Sequence, residues 1–179
     1  MDLQDFDGAG LYFDDPHAPQ IDALLAAAAE QYAQGTAERP LLEAQALAPD
    51  NLMVLVGLYR FYYYQHRYQD ALHIAERVMA VVGPRLALPI DWRALGPEHL
   101  AVAAGQGIGL LRFHLLALKG AGYLSLRLGR FEQGKAMLAK VVELDEGNRL
   151  GARLLLDVLA EHNAEILIFP TAATAEIRP

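Results

Sequence analysis

The stretch YRFYYYQHRYQDALHIAERV, Tyr59 to Val78, decides how the rest of the chain is read. Its first ten residues carry five tyrosines and a phenylalanine, and its second ten carry no such ring. On a 3.6-residue helix Leu55, Leu58, Tyr59 and Tyr62 form one stripe while Arg60, Tyr63 and Tyr64 project elsewhere, so the rings cannot all enter one core. A turn falls at His66-Arg67-Tyr68, and Gly83-Pro84 supplies a stop. The stretch therefore reads as the middle of a helical hairpin, 52–65 followed by 69–82.

Working outward, the same helical spacing recurs on both sides. Ile21, Leu24, Leu25 and Ala28 share a face, and AAAAEQY has high helix propensity. AQGTAERP breaks that run, and Pro40 suits the first turn of a second helix, which LAPDN ends. After Gly83-Pro84 comes RLALPIDWRALGPEHL, an irregular passage holding the only tryptophan, with Pro97 placed for a new start. Helices are expected over 98–109, 111–128 and 131–144, with Gly129 a stop between the last two. A final helix is expected from Asn148, a capping residue, to about His162. Three segments result: an acidic irregular extension over 1–19, a helical domain over 20–163 with an insertion at about 84–110, and a tail over 164–179. In that tail Ile166–Phe169 either pairs as a short strand or packs.

Composition narrows the function classes. With 179 residues, 54% of them hydrophobic, the chain can bury the core of one domain. It has no cysteine, which excludes disulfides, thiolate metal sites and thiol nucleophiles, and the cytoplasm is the simplest address. MDLQDFDGAG is acidic where an export signal would be basic and then apolar. The long apolar tract over 100–128 carries Gln106, Arg112, His114 and Lys119, which favours a buried helical region over a membrane span. The net charge of −7 is concentrated at one end: residues 1–38 hold eight acids and no lysine or arginine. The rest of the chain is close to neutral, which argues against nucleic acid as a partner.

The hairpins repeat. RYQDALHIAERV resembles the second helix of a tetratricopeptide repeat, with Tyr68 as its aromatic and Ala71 at the helix crossing. A shift of about 34 residues superposes Ile21 and Leu24 on Leu55 and Leu58, and Ala37 on Ala71. GAGYLSLRLGRFEQGKAMLAKVVELDEGN resembles a third unit, with Gly122 at the small-residue site, Gly129 in the turn, Phe131 as aromatic and Gly134 at the crossing. Tyr59 departs from the small residue usual at its position, and unit three closes on Glu146. The resemblance covers about 20–163 and implies an all-α, right-handed superhelix of antiparallel hairpins with an inserted helical segment. The runs YRFYYYQHRYQDAL, DWRALGPEHL and RFHLLALKGAGYLSLRLG further resemble small tetratricopeptide-like proteins encoded beside nitrogen-fixation genes, which implies an accessory role in nitrogenase maturation or protection.

In that family the inner helices line a concave face, so the resemblance carries a ligand-binding role onto Met53, Val56, Arg60, Tyr63 and Tyr64 in unit two, and onto Leu116, Lys119, Tyr123, Leu126 and Arg127 in unit three. Tyrosine brings large area, few torsions and a polar tip, and three cations among the rings would select an acidic and apolar segment of another protein. The expected function is a non-catalytic adaptor or chaperone that binds a protein or peptide, without cofactor or metal and without contact to a membrane. The alternative is a homodimer using the same surface as its seam. The acidic extension is a further candidate to occupy the groove.

Several patterns with a catalytic look have plainer readings. GQGIG, 105–109, lacks the preceding strand and third glycine spacing of a dinucleotide loop, and reads as close helix packing through Gly105 and Gly109. DFDG, 5–8, has Pro16 where a calcium loop needs a bidentate glutamate. His73 and Glu76 lie one turn apart, as metal ligands can, but an ordinary polar helix face has the same spacing. His66 falls in the turn after the tyrosine helix, His99 and His114 are a second metal alternative, and His114 beside Arg112 otherwise reads as a hydrogen-bonded core residue. Ser125 has no His–Asp company for nucleophilic work.

Overall fold

In the computed structural model the described residues are 18–168, with side chains described to 161. The acidic extension up to residue 17, its DFDG motif and apolar Leu11–Phe13, and the tail from 169 lie outside them. Seven α-helices and one short 3-10 turn make up the described fold, with no strand among the described residues. They are α1 (Pro19–Glu30), α2 (Glu38–Leu47), α3 (Leu52–Tyr64), α4 (Tyr68–Arg85), α5 (Pro97–Arg127), α6 (Phe131–Leu144) and α7 (Ala152–Ile168), with the 3-10 turn at Trp92–Ala94.

Local chemistry accounts for most boundaries. Asn51 caps α3, its Oδ1 accepting from Val54 N at 3.1 Å. His66 and Gly129 turn the chain with φ of 57° and 77°, and glycine takes the second at no steric cost. Each helix packs chiefly on its neighbours in sequence, from α1 on α2 through to α6 on α7. Small residues lie in the tightest packing: Ala37 and Ala71 are fully buried, and a Cβ built on Gly134 would meet the Gly122 carbonyl at 2.7 Å. Gly57 fills the same role against α2, where a Cβ would meet Leu41 at 2.8 Å.

Four sequence expectations are corrected. The two helices expected over 98–109 and 111–128 are both present within α5, but they meet at a kink at Gly107 (φ 176°, ψ 94°), earlier than the expected break at residue 110. Gly105 makes no close packing, since a Cβ there meets only open space. α4 passes Gly83-Pro84 and stops at Arg85, where Leu86 N and Leu88 N both donate to the Gly83 carbonyl. α7 begins at Ala152 rather than Asn148 and runs to Ile168, so Ile166–Ile168 is helical and not a strand. Asn148 still serves the helix start, its Oδ1 accepting from Arg153 N at 3.2 Å. The next helix-breaking residue after α7 in sequence is Pro170, which explains the longer reach.

The passage after α4 is fastened to the body. Leu86, Leu88 and Leu95 are buried, and Lys140 of α6 donates to the Leu95 carbonyl at 3.1 Å while pairing with Glu143. α5 is long and apolar enough to cross a membrane by length and composition. Its second half instead lies between α4 and α6, with Phe113, Leu116, Leu118 and Leu124 fully buried. His114 on that half is a core residue as expected but not a hydrogen-bonded one: its Nδ1 is buried without a partner, and a Cβ built on Gly83 would stand 3.7 Å from the ring. Burial lowers its pKa from the usual histidine range to about 4.

Candidate functional site

The last turn of α3 sends four consecutive rings in four directions, as a 100° step requires. Phe61 and Tyr62 enter the core, Tyr63 is half-buried, and Tyr64 is 49% exposed. Tyr63 is the hub. Its ring stacks on Tyr59 at 6.2 Å and lies at 6.2 Å from Tyr123 of α5. Tyr64 and Tyr68 meet it edge-on at 5.6 Å and 6.1 Å. These spacings and angles are those that the ring quadrupole favours. Tyr32, in the turn after α1, extends the line by edge contacts to Phe61 at 6.2 Å and Tyr64 at 6.3 Å.

One cation caps the far end of this line. The Arg127 guanidinium lies 4.5 Å from the Tyr68 ring centre and donates to the Tyr123 hydroxyl at 3.0 Å. That hydrogen bond, above all, raises its pKa above the ordinary arginine value. Among the described residues no carboxylate pairs with Arg127, whose neighbours there are the Tyr68 and Tyr123 rings and the Tyr123 hydroxyl. His66 supports the arrangement through Nδ1 to the Tyr68 hydroxyl, 2.8 Å apart.

At the near end, Tyr32 also lines a recess of about 290 Å³ with Leu25, Ala28, Leu41, Gly57 and Arg60. Burial raises the Tyr32 pKa above the ordinary phenol value, with the Arg60 charge opposing it, and its hydroxyl has no partner. Recess, rings and Arg127 thus form one continuous surface across the first three hairpins. It offers apolar area, phenol tips and two guanidinium groups, a set suited to an acidic segment with apolar side chains.

The structure divides the ten residues expected to bind. Tyr63, Tyr64, Tyr123 and Arg127 are brought together, and Arg60 joins them across Tyr32. Leu116 and Val56 are not on this surface: the first is fully buried and the second nearly so, because α3 and α5 are each flanked by helices on both sides. Lys119 is only 7% exposed and makes no ion pair among the described residues, so it is a core-lying stem rather than a groove cation. Leu126 faces the α5–α6 crossing, with its Cδ2 2.7 Å from the place of a Gly134 Cβ. Met53 is half-buried and packs against the core.

Sequence reasoning missed Tyr32 and Tyr68 as members of the line. Tyr68 was legible, since it opens the helix beside the tyrosine run; Tyr32 lies in a turn, where periodicity is silent. It also missed that Arg67 is already engaged. Arg67 bonds Glu38 at 2.6 Å and Asp70 at 2.8 Å and lies 4.4 Å from the Tyr62 ring centre, so it latches α2 to α4 instead of facing a partner. Burial, then the Glu38 charge, raises the Tyr62 pKa.

The histidines weighed for metal have other neighbours. His73 Nε2 lies 3.0 Å from Gln69 Nε2, and His99 Nδ1 accepts from Gly96 N at 3.1 Å, closing the start of α5. Among the described residues no three His, Asp or Glu side chains converge as a metal site would require.

No family model matches the chain, and no solved structure matches it. A curated protein of Azotobacter chroococcum mcd 1, described as "Uncharacterized 19.8 kDa protein in nifW 5'region", is 77% identical over 179 residues, the full length of both chains. At that identity over the whole length, the chain belongs to the family of the Azotobacter chroococcum protein from the nifW 5′ region.

Proposed function

We propose that this protein is a non-catalytic binding module, a tetratricopeptide-like stack of helical hairpins that holds an acidic, apolar segment of another protein. The observation that carries this reading is the line of rings from Tyr32 through Tyr64 and Tyr63 to Tyr123, closed by an Arg127 that no described carboxylate neutralises. Rings held by one another lose little freedom on binding, which is how tyrosine and arginine come to dominate recognition surfaces. The buried Ala37 and Ala71 and the close approach of Gly134 to Gly122 support the tetratricopeptide-like architecture, as does packing that runs from each helix to the next. The relative's place in the nifW 5′ region supports an accessory role linked to nitrogen fixation, and the partner would come from that machinery.

Tyr64→Ala with Arg127→Ala tests the reading, because both side chains are exposed and the fold keeps its core. Affinity purification from nitrogen-fixing cells should recover a specific protein with the wild type and lose it with the double variant. The recovered protein's binding segment, made as a peptide, should bind the wild type roughly tenfold or more tighter than the variant. Equal binding by both refutes the assignment of this surface.

A further inference from the structure

α7 carries more apolar side chain than the fold covers. None of Leu154, Leu155, Leu156, Val158 and Leu159 is buried, and Leu154 and Val158 are 65% and 55% exposed. α6 covers one side of the helix. Leu154 and Val158 are one turn apart and adjacent on the outer face. Arg153, Asp157 and Glu161, at the same spacing, form a row along one flank of that pair, and all three are exposed. Among the described residues none of the three makes an ion pair, although Arg153 and Asp157 are four apart on one helix. Arg153, in the first turn, stands against the macrodipole, and a base that precedes its acid by four is the weaker order for a pair on one helix.

We propose that α7 is a homodimer seam, with two copies packing this helix antiparallel about a two-fold axis. In that arrangement Leu154 of one copy lies over Val158 of the other, and the level of Arg153 coincides with residue 159 of the second copy. Asp157 and Glu161 of that copy are each two residues from this level, about 3 Å along the axis and within reach of an arginine side chain. A two-fold axis sets like flanks against each other with their order reversed, so each row's arginine meets the other row's acids. Charges that are poorly placed within one helix become complementary between two.

The test uses the full chain, measured by sedimentation equilibrium or light scattering over roughly 1–100 µM, the range suited to a seam of one helix. Arg153→Glu makes the row all acidic, and Asp157→Arg with Glu161→Arg makes it all basic; circular dichroism checks that both fold. The wild type is expected to dimerise, each variant alone to dissociate with a dimer Kd raised roughly tenfold or more, and an equimolar mixture to reassociate as a heterodimer. Leu154→Glu should abolish association without such rescue. A monomeric wild type overturns the proposal, whether the stripe is then covered by another protein or by residues beyond Ile168. Charge variants that dimerise like the wild type, or a mixture that stays monomeric, overturn it as well.

Discussion

His114 makes the stability of this protein depend on pH in a direction that can be worked out beforehand. Its ring is buried on α5 with Nδ1 unpartnered, and burial lowers its pKa from 6.5 to about 4. Between those values the unfolded chain binds a proton at this site that the folded chain refuses. Stability therefore rises with pH across the window. The full contribution is present above pH 6.5 and is lost as pH falls toward 4, below which this group adds no further slope. A gap of two to three units corresponds to about 3 kcal/mol, or roughly 1 kcal/mol for each pH unit below 6.5. The assay is urea unfolding of wild type and His114→Leu at pH 7.5, 6.5, 5.5 and 4.5. Carboxylates titrate alike in both proteins, so the difference between the two curves isolates the histidine. That difference should be flat above pH 6.5 and grow steadily in favour of leucine below it. Parallel curves from pH 7.5 to 4.5 would refute the placement of an uncharged histidine in this core.

Gly134→Ala should destabilise the protein by about 1–2 kcal/mol in chemical denaturation, because the overpacking of its Cβ against the Gly122 carbonyl and Leu126 outweighs the roughly 1 kcal/mol that alanine adds to a helix. Arg67→Ala should cost at most about 1 kcal/mol, since its pairs with Glu38 and Asp70 are part-exposed, and the loss should shrink in high salt. Tyr32→Phe should be neutral or stabilising in thermal melts, because it removes a buried hydroxyl that has no partner while keeping both edge-on ring contacts.

Hairpin architecture was legible where the sequence carries short-range signals. Apolar spacing marked α3 and α6, and Gly129 marked the turn between α5 and α6. Gly122 and Gly134 were legible as a pair because close crossing needs small residues at matching offsets, and the structure brings them together. What escaped depends on enclosure from two sides, which periodicity along one helix does not encode. Leu116 and Lys119 lie on the second half of α5, which α4 and α6 cover together, so a helix that looked half-open is nearly closed. The ring surface was half legible for a similar reason. Four consecutive rings on α3 must diverge, which made Tyr64 an outward residue, but the contribution of Tyr32 arises from a turn meeting α3 in space. Arg67 was read as part of a turn, and its engagement with Glu38, 29 positions away, has no local signature.

Because each helix leans on those just before and after it in sequence, the molecule is assembled like courses of brick, and few bonds wait for distant parts of the chain. Nascent polypeptide emerging from a ribosome can lay one course as soon as the next arrives, so folding should be quick and should keep pace with synthesis. Under tension applied at α1 and α7, the same masonry would come apart from its ends inward, and amides at the junction of α4 and α5 would be the last to exchange with solvent.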